Sequence, residues 1–174
     1  MRWMVLILLA SIRLSAQPAN FLPFDDFVTD WKISKQFTIA VAEKMPAEFY
    51  GFKATPEEMS FGEQMIHIAA SLFERFSQIA GEKSPHPASP KTIDKALAIQ
   101  RLNESFDYAL KILPTLTDER LAKTKFRVNF DGRPSPDING REMIRNIFVH
   151  VAHHRAQCEV YLRLKGIAPP TYTF

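Results

Sequence analysis

The chain has 174 residues, 46% of them hydrophobic, and a formal net charge of +3. That length suits one domain whose core needs no disulfide, and Cys158, the single cysteine, has no partner with which to form one. No Lys/Arg-rich run concentrates the positive charge, so the electrostatic footprint expected of a nucleic-acid-binding protein is missing.

In chain order, the first segment reads as an address rather than as structure. MRWMVLILLASIRLSAQ begins with Arg2, runs apolar from Trp3 to Ile12, and ends in Leu14-Ser15-Ala16 before Gln17. This is the order of a secretory signal, with cleavage expected after Ala16 and export of residues 17–174 to the periplasm or the medium. An apolar run of about ten residues is about half of what a bilayer crossing requires, so no stable membrane span is expected once residues 1–16 are gone. Losing Arg2 and Arg13 leaves 20 basic against 19 acidic side chains, a nearly neutral mature chain.

Four long helices are expected next. The first covers about Asp25 to Met45, with Phe27, Trp31, Phe37, Val41 and Met45 near helical spacing and Pro46 as its stop. The second starts at Ser60, which forms a capping box with Glu63, and runs to Ala80 before Gly81. Residues 81–90, GEKSPHPASP, read as a loop because three prolines in ten residues forbid regular structure, and His86 within it reads as a solvent-exposed side chain. The third helix covers about Lys91 to Leu113 and ends at Pro114. A short helical turn at Asp118–Lys123, an extended stretch from Phe126 to Phe130 and a loop over residues 131–139 follow. Asn139, with Glu142 three residues on, caps a last helix that ends at Lys165-Gly166. Four helices without a strong strand run argue for an all-α four-helix bundle, and the long middle connections permit a crossover.

The last helix contains HVAHHRAQ, which holds three of the five histidines. With about 100° per residue and Met143 at zero, the apolar stripe of Met143, Ile147, Val151, Cys158, Tyr161 and Leu162 centres near ~50°. His154 falls inside it, His150 at its edge, and His153 well aside. Two imidazoles at i and i+4 on an inward face have two readings: a metal clamp, or a pair of core-edge rings satisfied by hydrogen bonds. Val151 follows His150, so the glutamate of an HExxH zinc-protease motif is missing. A metal needs a third ligand, and His67 is the remaining candidate. Its own helix argues against it, because the stripe of Phe61, Met65, Ile68, Leu72, Phe76 and Ile79 leaves His67 on the side of Glu63 and Glu74.

Two segments, KMPAEFYGFKATPEEMSFGEQMIHIA and HVAHHRAQCEVYLRLKGIAPP, together resemble the DinB-like superfamily of bacterial four-helix proteins, over about Phe27 to Pro170. The resemblance implies an up-down-down-up bundle and a divalent metal, often zinc or nickel, bound by three histidines. Carried over, these are His67 on the second helix and His150 and His154 on the last. It also implies a small-molecule substrate. Members of the family join low-molecular-weight thiols to electrophiles or use the thiol in isomerisation, and some form homodimers. Three neutral imidazoles leave an ion at least one open position, where it can hold a thiolate or activate water.

Three functions fit: a metal-dependent thiol transferase, a metal-dependent hydrolase, and a metal-binding module without chemistry. Around the three histidines, Glu63 reads as either a capping residue or a support for His67, and Cys158 as either a buried hydrophobe or a fourth ligand. Tyr50 is a candidate for the mouth of the site, Arg155 and Gln157 for contacts between helices, and Phe24, Phe27 and Trp31 for the core.

Overall fold

The structure, a computed structural model, describes residues 24–86, 90, 92–126, 129–130, 133–134 and 137–172. The expected signal, residues 1–16, lies outside the described residues. The helices are α1 (Phe24–Lys44), α2 (Phe61–Ala80), α3 (Lys95–Ile112), the short α4 (Asp118–Lys123) and α5 (Gly140–Leu164). The expected boundaries of α1 and α2 hold to within a residue. That of α3 does not: it starts four residues later than Lys91, because Asp94 takes the N-cap and accepts from the Leu97 N–H at 2.8 Å.

Side-chain contacts fix the directions of the four long helices. Lys95 Nζ, at the start of α3, donates to the carbonyls of Glu43 and Met45 at the end of α1, so α1 and α3 are antiparallel. Gly62 at the start of α2 lies against Ile93 just before α3, so α2 and α3 run parallel. Tyr161 near the end of α5 donates to the Met59 carbonyl at 2.9 Å, just before α2, and Phe148 and Arg155 of α5 meet Phe27 and Ser34 of α1 in step. The order is therefore up-down-down-up, with α1 and α2 diagonal to each other. A parallel α2/α3 pair needs a connection as long as the bundle. The fourteen residues between Ala80 and Lys95 supply it, since α2 is about 30 Å long and fourteen extended residues reach about 46 Å. Gly81, at φ 74°, turns the chain out of α2.

His86 lies on this return path and is half-buried rather than free in solvent. Its ring packs edge-on against Phe73 (4.8 Å), with Arg101 Nη1 at 2.6 Å and Glu104 Oε2 at 3.3 Å. The expected loop at 131–139 also differs. Lys125–Phe126 pairs with Ile138–Asn139 (β1 and β4), and Asn129–Phe130 pairs with Arg133–Pro134 (β2 and β3), both antiparallel. Two-residue strands are too short for an alternating pattern to announce them.

The core is aromatic at its centre. Trp31 is fully buried and meets Phe76, Phe106 and Phe148 edge-on at 5.3, 6.0 and 5.4 Å. Its Nε1 has no hydrogen-bond partner, a cost of about 1–3 kcal/mol. Three ring contacts at about 0.5–1.5 kcal/mol each, added to the burial of an indole, offset that cost. Phe27 belongs to the core as expected. The Phe24 side chain is outside the described ones. Among the described residues no helix is long and apolar enough to cross a membrane.

Where α5 begins, it meets α4 with no room for a side chain. A Cβ on Gly140 would stand 2.7 Å from Leu121 Cδ2, 3.0 Å from its Cα and 3.1 Å from its carbonyl oxygen. Backbone atoms cannot swing aside, so Gly140→Ala is expected to cost about 1–3 kcal/mol, read as a lower urea midpoint at an unchanged slope.

Candidate metal centre

α2 and α5 run antiparallel, and each begins with a capping box. Ser60 Oγ accepts from the Glu63 N–H at 3.2 Å while Glu63 Oε2 accepts from the Ser60 N–H at 2.6 Å. Asn139 and Glu142 do the same for α5, at 3.0 and 2.7 Å. These caps fix which residue starts each helix and hence which way each side chain points. Glu63 is thereby committed to its cap and to Lys53 at 3.4 Å.

From these two helices His67, His150 and His154 come together. The Nε2 atoms of His67 and His154 each lie 3.1 Å from Nε2 of His150, and one ring nitrogen of each histidine lies within 4.8 Å of the others. The solvent-side placement suggested by the α2 stripe does not hold for His67. The stripe points at the bundle axis, whereas α2 also packs along α5, and His67 stands on that second seam, half-buried.

Burial is the main influence on all three rings. It lowers the His67 pKa, partly countered by the charge of Glu74. It takes His150 down to about 4, helped by repulsion from His67, His153 and Arg75. It takes His154 down to about 3, helped by repulsion from His150, His67 and His153. The rings are therefore neutral near pH 7, each with one N–H and one lone pair. His154 Nδ1 sits 2.6 Å from Gln64 Oε1. His150 Nδ1 is buried without a hydrogen-bond partner.

This donor set suits a divalent cation. Imidazole nitrogen is a ligand for zinc, nickel, copper and iron, and coordination requires the neutral ring. Two nitrogens on a tetrahedral ion with bonds of about 2.0–2.1 Å lie about 3.3–3.4 Å apart, a few tenths of an ångström from the spacing here. Lone pairs turned inward on all three rings would supply such an ion with three protein ligands.

The neighbours sort themselves by contact. Cys158 is fully buried against the Phe61 carbonyl, stays outside the three-histidine group, and has its thiol pKa pushed well up by burial. Tyr50 does not form a mouth: it is buried, and its hydroxyl donates to the Ala42 carbonyl at 2.7 Å. Its carbonyl accepts from the Gly62 N–H, and its ring packs edge-on against Phe61 at 5.1 Å. Arg155 turns to α1, with Ser34 and Thr38 hydroxyls at 3.2 and 3.4 Å and the Phe37 ring at 4.7 Å. His153 is exposed, with Nε2 2.8 Å from Gln157 Nε2. Gln64 is the participant that sequence reading passed over. Its signal was present: within FGEQMIHIAA it is an amide on the apolar side of an otherwise apolar arc.

Known proteins share this arrangement of helices. A crystal structure of a DinB-like protein from Bacillus cereus ATCC 10987 superposes with a TM-score of 0.69 at 17% identity, over 86% of this chain and 97% of that one. The crystal structure of the DinB-like protein YjoA from Bacillus subtilis gives 0.65 at 24% identity, over 85% and 97%. In sequence, the uncharacterised YjoA of Bacillus subtilis strain 168 is 25% identical over 143 residues, 82% of this chain and 90% of the relative. The DinB superfamily profile matches residues 32–158, a stretch that contains all three histidines, and the chain belongs to that superfamily.

Proposed function

We propose that the protein is a metal-dependent transferase that joins a low-molecular-weight thiol to an electrophilic small molecule, with His67, His150 and His154 holding a zinc or nickel ion. The observation that carries this reading is the convergence of three neutral ring nitrogens with no carboxylate or thiolate among them. Such a ligand set leaves the dipositive charge uncompensated, and an anionic sulfur at the open position suits it. When bound, the ion supplies the Lewis acidity that keeps a thiol ionised near neutral pH.

The chain's own residues favour thiol transfer over hydrolysis. Among the described residues no acid joins the three-histidine group as a candidate general base, and Val151 stands where HExxH places one. A thiol ionised by the cation needs no such base. Cys158 cannot be the nucleophile, because it is enclosed and held as the neutral thiol. The sulfur therefore comes from a free substrate. Export after Ala16 is a further proposal; it would put residues 17–174 where thiol cofactors are scarcer, and so is the feature that favours the hydrolase alternative.

Zn²⁺ or Ni²⁺ titration against a chromophoric chelator is expected to give one site per chain. Alanine at His67, His150 or His154 is expected to weaken it beyond the ~10–100-fold typical of losing a residue that merely supports a ligand. Conjugation of small thiols to monochlorobimane should require the metal and vanish with His150→Ala. Ester or amide cleavage without thiol would replace this reading with a hydrolase, and tight metal binding without turnover on either substrate set would leave a binding module.

Acid should act on the metal-free protein through the same rings. The folded pKa values of His150 and His154, about 4 and about 3, lie below the usual 6.5, so between those limits the unfolded chain binds protons that the folded chain refuses. Their stabilisation is complete above about pH 6.5 and is lost as pH falls toward 4 and then 3. Urea midpoints in chelator should therefore drop between pH 7 and 5, where the carboxylates do not yet titrate. A His150→Leu/His154→Leu variant should lose most of that slope.

A further inference from the structure

Gln64 is fully buried on α2, in a position where an aliphatic side chain would fill the same space. A buried primary amide costs free energy unless both its ends are satisfied. Here both are: Oε1 meets His154 Nδ1 at 2.6 Å, and Nε2 donates to Gln157 Oε1 at 2.5 Å. Gln157 in turn meets exposed His153, its Nε2 2.8 Å from the ring Nε2. A chain of four side chains thus runs from the innermost ring of the cluster to the surface.

Such a chain has a direction. An amide accepts at one end and donates at the other, and a neutral imidazole does likewise. Reversing Gln64 would present its NH₂ to His154 Nδ1, move the ring proton to Nε2 and aim an N–H at the other two histidines. One fixed group selects between the two directions. The Tyr161 hydroxyl donates to the Met59 carbonyl at 2.9 Å, and a backbone carbonyl can only accept. With its proton committed there, the Tyr161 oxygen can only accept; burial raises its pKa, and Gln64 opposes that rise as a donor does. The Gln64 NH₂ is thereby turned toward Tyr161 and Gln157, and its carbonyl toward His154.

We propose that Gln64 is a positioning residue: anchored by Tyr161 and Gln157, it holds the His154 proton on Nδ1 and leaves Nε2 free for a metal ion. The inference rests on the metal-binding reading for its purpose but not for its test, because the tautomer exists in the metal-free protein.

The ¹⁵N shifts of the His154 ring, read from long-range ¹H–¹⁵N spectra of the metal-free full chain, report which nitrogen carries the proton. The expected result is Nδ1–H in the wild type, a shift toward Nε2–H in Gln64→Leu, and restored Nδ1–H in Gln64→Glu, which keeps the acceptor. In Zn²⁺ competition against a chromophoric chelator, Gln64→Leu should bind about 10–100-fold more weakly and Gln64→Glu at least as tightly as wild type. A merely structural role for Gln64 would lower the melting temperature without moving the tautomer, and that result overturns the proposal. So does a wild-type ring protonated on Nε2. Should Gln64→Leu fail to fold, Tyr161→Phe removes the group that orients the amide. A mixed tautomer there supports the proposal, and an unchanged one counts against it. Absence of Zn²⁺ uptake by the wild type would sink the metal reading while the tautomer still decides the role of Gln64.

Discussion

Three ring nitrogens from two helices, two pairs of them 3.1 Å apart, can serve one cation only while the helices hold them together. Everything along the α2–α5 seam bears on keeping them there. A helix that slips by one residue turns its side chains by about 100°, enough to carry His67 or His154 out of reach. Both ends of the seam are pinned against that. Capping boxes fix where each helix begins, each cap contributing about 0.5–2 kcal/mol, and Tyr161 and Cys158 of α5 rest on backbone carbonyls at the start of α2. Apolar packing of Met65, Ile68, Leu72, Ile147 and Val151 inside the bundle then sets the distance between the helices. The cluster is an outcome of register as much as of residue type.

One five-residue run of α5 shows how finely that register is used. In His153-His154-Arg155-Ala156-Gln157, the polar side chains divide between solvent, α2 and α1. His153 faces solvent, His154 faces α2, Arg155 crosses to the hydroxyls and ring of α1, and Gln157 returns to Gln64. Arg155 is a buried cation next in sequence to a ring that favours a cation beside it, which sounds self-defeating. The helix resolves it by angle. Arg155 lies on the α1 seam, its charge shared with the Phe37 face and with Glu159 at 3.9 Å, and it is not among the groups that perturb His154.

The i, i+4 pair on α5 was legible because one helix carries both rings, so periodicity alone places them on one face. The bundle, its capping boxes and the burial of Cys158 and Trp31 were legible for the same reason: each is a property of one helix or of its ends. His67 was not readable from spacing. Its direction has meaning only relative to α5, and a stripe averaged over α2 reports the bundle axis rather than a second seam. The family resemblance supplied what periodicity could not. Gln64 carries no titratable group to mark it, although a lone amide among Phe61, Met65 and Ile68 has to find partners somewhere. Tyr50 and His86 were misplaced because their surroundings come from chain reversals that no local pattern encodes.

The charges around the cluster bear on what it selects. Glu74 draws the His67 ring toward the protonated form, whereas Arg75 and His153 oppose protonation of His150. Burial remains the largest influence on each ring, ahead of any neighbouring charge. In the proposed function, preference for an anionic group would originate in the ion, strongest within one bond length and weak beyond. Such a centre gathers a ligand by its donor atom rather than by its overall charge. That behaviour is what the proposed thiol transfer would require of a site taking thiols that differ in the rest of their structure.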